Sequence, residues 1–160
     1  MKDRKELIQG LQNSPVILRI FCENVDAQRR IEIRITGKWT LHEHVCHLAE
    51  AEKMIYDRFQ TFKNDPNPNF TPYLPGETVT EEDLIHRDLE VALSDFEMLR
   101  AQTVQLVGSF GADVWSKKAV HPEYERYDAH ILLRHVLMHD FFHMYRMEEL
   151  WLTKEEYLIK

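Results

Sequence analysis

Residues 127–150 read YDAHILLRHVLMHDFFHMYRMEEL, and within this stretch His135, His139 and His143 follow one another at spacings of four. No proline or glycine interrupts this stretch, so its pattern predicts one continuous helix. At about 100° per residue, each step of four drifts by only about 40°, and all three imidazoles leave one face. Neighbours on a helix face can bind one metal ion, although hydrogen-bonded core histidines give the same pattern.

A second helix, predicted from Thr40 to about Lys63, carries a matching histidine. Thr40 and Glu43 form a capping box at its start, and residues 64–68, which include two prolines, end it. His47 lies at the centre of its apolar stripe, where a solvated side chain has no reason to be. A buried imidazole needs partners, and three imidazoles that meet on one metal ion supply them.

Two further segments bring the number of long helices to four. The first runs from about Lys2 to Val25, with a break expected where Ser14 can cap a new helix and Pro15 can begin it. The other runs from Thr80 to Gly108 and precedes the histidine-bearing helix. Four long amphipathic helices predict an all-α four-helix bundle, with long loops between helices two and three and between helices three and four.

Composition is typical of a single globular domain. With 160 residues, 44% of them hydrophobic, the chain can bury a core, and we expect one domain over residues 1–160 with its core at about 7–150. The net charge of −7 argues against nucleic-acid partners, and no apolar run is long enough to span a membrane. Since there is no secretory signal and no disulfide framework, with only Cys22 and Cys46, we expect a cytoplasmic protein.

Three stretches of the sequence together resemble the DinB-like superfamily. The first is Gly37-Lys38-Trp39-Thr40 followed by His47-Leu48-Ala49-Glu50-Ala51-Glu52, and the second is residues 135–143. Between them, Trp115 and the His121-Pro122-Glu123 loop are similar to a further recurring segment. The combined order extends over residues 7–150 and is more specific than any one motif.

The resemblance implies a DinB-like four-helix bundle that binds a divalent metal through one histidine of helix two and two of helix four. Those positions are His47, His139 and His143 here, while His135 matches a histidine that often precedes the ligand pair without binding. Many members have glutamine where this chain has Arg146, so substrate details do not carry over. Three-histidine sites accept several metals; we expect zinc or nickel first, with iron and copper also compatible.

The resemblance also implies a small-molecule enzyme, either a transferase that uses a low-molecular-weight thiol or a metal-dependent hydrolase. A metal with an open fourth position can lower the pKa of a bound water or thiol, or polarise a carbonyl. Under this hypothesis, His121 and Glu50 are candidate proton carriers. Further candidates for contact with the ligands or the substrate are His44, His135, Arg58 and Arg146, although each arginine can instead form an internal ion pair.

Two alternatives stay open at this point. If His135 or Glu50 fills the fourth metal position, no nucleophile has a place to bind, and the chain is a non-catalytic metal- or ligand-binding stress protein. A metal-free helical interaction module is the third hypothesis.

Helix four is also apolar on its other face, which predicts a further contact. A helix that is hydrophobic all round is buried all round. We therefore expect this face to pack on a second copy, as a homodimer, or beneath the N-terminal segment. Its candidate interface residues are Leu133, Leu137, Phe141 and Met144.

Overall fold

The computed structural model describes residues 3–71 and 81–158. At Glu81 and Glu82 it describes the backbone only. In these ranges the chain is helical, with isolated β-bridges and no β-strand. The four long helices are α1 (Arg4–Asn24), α3 (Leu41–Asn64), α5 (Leu89–Gly108) and α7 (Ala129–Leu152). The short ones are α2 (Ala27–Ile31), α4 (Glu81–His86), α6 (Ala112–Ser116) and a 3₁₀ turn at Glu155–Tyr157. The predicted all-α four-helix bundle is confirmed.

The long helices are not arranged in the order of the sequence. Helix α3 packs against α5 and α7, and α1 packs against the same two helices. Helices α1 and α3 therefore occupy opposite corners of the bundle. As a result, α3 and α7, which carry the histidines of interest, face each other directly.

The start of α3 follows the predicted capping box. The Thr40 hydroxyl accepts a hydrogen bond from the Glu43 amide at 3.2 Å, and the Glu43 carboxylate accepts one from the Thr40 amide at 2.8 Å. Three residues earlier, Gly37 adopts a left-handed φ of 72°, a conformation that glycine adopts at little cost. This turn and cap fix the position at which α3 begins.

The predicted break in the first helix is wrong, because α1 continues through Pro15. Proline lacks the amide that would donate to the carbonyl of Leu11, four residues back. The hydroxyl of Ser14 donates to that carbonyl instead, at 3.2 Å, and is fully buried. A side chain thus replaces the backbone bond that proline removes, and the helix does not end.

The third predicted helix is two helices, since α4 and α5 are separated at Arg87 and Asp88. The Asp88 carboxylate accepts a hydrogen bond from the Val91 amide at 2.9 Å and caps α5. The predicted start at Thr80, and residues 72–79 of the loop before it, lie outside the described residues.

A buried ion-pair network joins the four long helices. Arg100 of α5 is 1% exposed, and it donates to Glu52 of α3 at 2.8 and 3.0 Å and to both carboxylate oxygens of Asp140 of α7. Ser14 of α1 accepts from the same guanidinium at 2.8 Å, and Thr103 donates to Glu52 at 2.7 Å. Every charged group here has a partner, as burial requires.

Much of the second apolar face of α7 is covered by this chain itself. Leu133 and Met144 are buried, so the prediction that they form a dimer interface is wrong. Leu137 packs so closely on Gly10 of α1 that a Cβ there would lie 2.8 Å from it. The N-terminal helix is therefore the cover, as the second alternative expected. Phe141 is 46% exposed. Self-association stays a prediction, and the surface around Phe141 is the part of the proposed interface that remains accessible.

Two expectations from composition also have structural counterparts. Cys22 and Cys46 are buried and unlinked, and burial raises the pKa of their thiols to about 12 and about 11. No helix among the described residues has the length and apolar character needed to cross a membrane.

Candidate metal centre and adjoining pocket

Helices α3 and α7 bring three of the predicted histidines together. Nε2 of His139 lies 3.2 Å from Nε2 of His47 and 3.1 Å from Nε2 of His143. One ring nitrogen from each residue lies within 4.8 Å of the others, and His143 is buried. The two histidine motifs of the sequence thus meet at one point between facing helices.

Hydrogen bonds alone do not satisfy this arrangement. A neutral imidazole has one N–H group and one lone pair, on different nitrogens. Nε2 of His139 therefore has one proton or one lone pair for two neighbours, Nε2 of His47 and Nε2 of His143. Its Nδ1 is buried and has no partner in the described part of the chain. A divalent cation would accept three lone pairs at once. With metal–nitrogen bonds of about 2.0–2.1 Å, tetrahedral ligand atoms lie roughly 3.3 Å apart, close to the observed spacing.

Burial keeps these imidazoles in the neutral form that a metal requires. Loss of solvent lowers the pKa of His143 to about 2, helped by the neighbouring imidazoles of His139, His47 and His44. The pKa of His47 falls to about 4 for the same reason, and that of His139 is also lowered. Since protons and metal ions compete for the same lone pairs, the site is ready for metal at neutral pH.

His44 and Trp39 cover one side of the cluster. Nδ1 of His44 lies 2.9 Å from Nδ1 of His143, so one of these atoms donates and the other accepts. If His143 presents a lone pair at Nε2, its Nδ1 carries the proton and donates to His44. The Trp39 ring stacks on His143 and contacts His47, with centroids 6.0 and 4.8 Å apart. This side is therefore closed.

The opposite side opens into a pocket of about 250 Å³ that reaches the imidazoles of His47 and His139. This volume is slightly below the range of about 300–1,000 Å³ that is usual for small-molecule sites. Helices α3 and α7 and the loop before α7 provide the lining: Ala51, Met54, Ile55 and Arg58; Leu132, His135 and Val136; and His121, Glu123, Tyr124 and Tyr127. The pocket has an apolar floor and polar groups at its edge.

The loop that supplies one wall of this pocket is joined by hydrogen bonds to the loop after α3. The Phe70 amide donates to the Val120 carbonyl at 3.0 Å, and the Val120 amide donates to the Pro68 carbonyl at 3.0 Å. The Ala119 amide donates to the Tyr127 carbonyl at 2.9 Å, which links the second loop to the start of α7. These bonds hold the segment that contains His121 over the groove between α3 and α7.

The structure separates the remaining predicted site residues into two groups. His135 and His121 line the pocket, where burial lowers the pKa of His135 and its ring lies 5.1 Å from that of Tyr124. Glu50 and Arg146 do not line it: Glu50 pairs with Arg87, and Arg146 pairs with Glu149. The expectation that Glu50 carries a proton at the site is wrong, since its carboxylate pairs with Arg87 and does not line the pocket.

Three aromatic residues that were not predicted from the sequence also contribute to this site. Trp39 lies directly before the capping box of α3, and that position could have indicated a contact with the first turns of the helix. Tyr124 and Tyr127 follow the His121 motif closely, but their sequence shows no periodicity that would point them toward a pocket.

Comparison with known proteins identifies a family and similar solved structures. The family model of the DinB superfamily matches residues 11–147. Among solved structures, YfiT from Bacillus subtilis, described as a probable metal-dependent hydrolase with an unusual four-helix bundle topology, matches with a TM-score of 0.81. The two sequences are 21% identical over 94% of this chain and 87% of YfiT. A search of curated proteins finds no match.

Proposed function

This chain belongs to the DinB superfamily, and from that premise we propose that it is a metal-dependent hydrolase of a small molecule. A divalent ion, zinc or nickel, is held by His47, His139 and His143. Their three nitrogens suit a divalent ion in spacing and in protonation. The description of YfiT, which shares the fold, supports the same reaction class.

The observation that carries this proposal is the pocket that reaches two of the three ligands. A structural site is closed by four protein ligands, whereas a catalytic site keeps one position for water or substrate. Among the residues that the structure describes, neither His135 nor Glu50 belongs to the histidine cluster. The side that faces the pocket is therefore accessible to a small molecule, which argues against the non-catalytic alternative.

When bound, a divalent ion of this kind polarises a carbonyl and lowers the pKa of water. The proton carriers are two histidines of the pocket wall. His121 accepts a hydrogen bond from the Glu123 amide at Nδ1, at 3.2 Å, so its Nε2 carries the proton of the neutral ring and can donate it. His135 has a lowered pKa, is neutral near pH 7 and can accept a proton.

A metal-loading experiment tests the proposal. The purified chain is stripped with a chelator, reloaded with zinc or nickel, and measured for metal content and for cleavage of a panel of simple esters and amides. We expect one ion per chain and hydrolysis that depends on it. His139→Ala should lose both, whereas His86→Ala, the same change at an exposed histidine of α4, should keep both.

The same assay distinguishes the other functions. A metal-dependent rate that appears only when a low-molecular-weight thiol and an electrophile are added would replace hydrolysis by thiol transfer. Metal binding without any rate would favour the binding protein, and absence of metal would leave the interaction module.

A further inference from the structure

We infer that the pocket takes an elongated ligand with a negatively charged end, and that Arg58 binds this end. The inference rests on the proposed function, because it assumes that the other end of the ligand reaches the cluster of His47, His139 and His143. It adds the chemical class and the approximate length of the substrate.

The register of α3 places a guanidinium and a metal ligand at opposite ends of one groove. His47 and Arg58 are eleven residues apart, which at about 100° per residue returns to within about 20° of the same face. The rise of about 1.5 Å per residue separates their Cα atoms by roughly 16 Å. Ala51 and Ile55 lie between them on this face and form an apolar floor. The groove therefore suits a molecule with an apolar middle and two polar ends.

Neutral groups hold the guanidinium of Arg58 in the pocket. It donates to the Thr71 carbonyl at 3.1 Å, and it lies 5.8 Å from the centre of the Phe70 ring. Burial raises the pKa of Tyr127, and a hydrogen bond with Arg58 partly opposes that shift. Among the side chains described in residues 3–71 and 83–158, no carboxylate forms an ion pair with Arg58, so its positive charge is available to a ligand.

The other charged groups near the pocket do not replace Arg58 as the group that binds an anion. Among the described residues of the lining, Glu123 is the one carboxylate, and its side chain is exposed. Arg146, the other arginine considered for an anion, forms an ion pair with Glu149 and lies outside the lining. A carboxylate or phosphate can accept from the remaining donors of Arg58 in a paired geometry.

Binding of designed probes to the zinc-loaded protein tests the inference. The probes are the monohydroxamate of suberic acid, its carboxamide, and the corresponding amine, which share one zinc-binding group and one spacer length. Isothermal titration calorimetry gives their affinities. We expect the carboxylate to bind about tenfold more tightly than the carboxamide, the increase typical of a hydrogen bond to a charged group. The shorter succinic and longer dodecanedioic monohydroxamates should show a smaller advantage.

Two variants test whether Arg58 causes the tighter binding of the carboxylate probe. In Arg58→Gln, the carboxylate should bind no better than the carboxamide, whose unchanged affinity shows that the fold and the metal site are intact. In Arg146→Gln, the tenfold advantage should persist. Equal affinities in the native chain, an advantage that survives Arg58→Gln, or tightest binding of the amine would overturn the inference while leaving the metal proposal in place. If the protein takes up no zinc and binds no probe, both proposals fail.

Discussion

The bundle contains two buried polar regions that lie side by side but are built differently. In the network around Arg100, opposite charges meet and each carboxylate accepts at least two hydrogen bonds. In the histidine cluster, three groups of one kind meet with no opposite charge among them, and within the described residues the buried Nδ1 of His139 has no partner. The two regions meet at adjacent residues of α7, since His139 belongs to the cluster and Asp140 belongs to the network. The complete network is suited to fixing four helices, and the incomplete cluster is suited to an ion.

The largest effect is expected from removal of the central charge of the network. Arg100→Met leaves Glu52 and Asp140 buried without their cation, a change that costs about 3–5 kcal/mol when it breaks a buried ion pair. Urea unfolding of the metal-free protein measures this loss. The control is Arg19→Met, which removes two ion pairs between α1 and α5 at a partly exposed position and should cost less than about 1 kcal/mol. Equal losses would mean that burial of the network has no special role.

The cluster should respond to metal instead. At a free zinc concentration about 100 times the dissociation constant, a protein that binds the ion only when folded gains about 2.7 kcal/mol of stability. We expect this gain in the native chain and its absence in His139→Ala, while Arg19→Met keeps it. Thermal unfolding with and without zinc gives the comparison. A gain that survives His139→Ala would place the ion at another site.

A smaller effect is expected from the contact between His44 and His143. Partners of metal-ligating histidines typically contribute a factor of about 10–100 to metal affinity, because they fix the tautomer and the orientation of the ring. His44→Phe should therefore weaken zinc binding by about this factor and still bind one ion at saturation. His42→Phe changes a neighbouring histidine outside the cluster and should have no effect. Loss of the ion at saturation would make His44 a ligand.

A further test of the cluster is the acid sensitivity of the metal-free protein. Burial lowers the pKa of His44 and of His47 to about 4 from an ordinary 6.5. Between these values the unfolded chain binds more protons than the folded chain, so stability falls as the pH drops from about 6.5 toward about 4. Thermal midpoints across this range measure the fall. His47→Leu should make it shallower, and an unchanged slope would contradict the assignment.

The sequence predicted those features that follow from local spacing. Local spacing is enough to predict the capping box at Thr40. Helix periodicity is enough to predict the face shared by His139 and His143 and the central position of His47 on its stripe. Features set by distant contacts were not predictable. Pro15 appeared to begin a new helix after a break because its missing hydrogen bond is visible in the sequence, whereas the replacement by Ser14 depends on packing against α5.

The same limit applies to charged residues. Glu52 and Asp140 read as ordinary acidic positions, since nothing near them in the sequence shows that Arg100 lies between them. Glu50 and Arg146 were candidates for the site because of their positions near the predicted ligands, but each forms an ion pair, Glu50 with Arg87 and Arg146 with Glu149. Helical periodicity predicts on which face of a helix a side chain lies, but not which group that side chain contacts.

The central claim is that three histidines hold one ion and leave a position for an external molecule. X-ray absorption at the zinc edge, on the loaded protein before and after addition of a small thiol, tests it most directly. We predict three imidazole nitrogens at about 2.0–2.1 Å, and a sulfur at about 2.3 Å that appears only with the thiol. Cys22 and Cys46 are buried away from the cluster and supply no such signal. Four protein ligands that exclude the thiol, or zinc without imidazole neighbours, would contradict the claim.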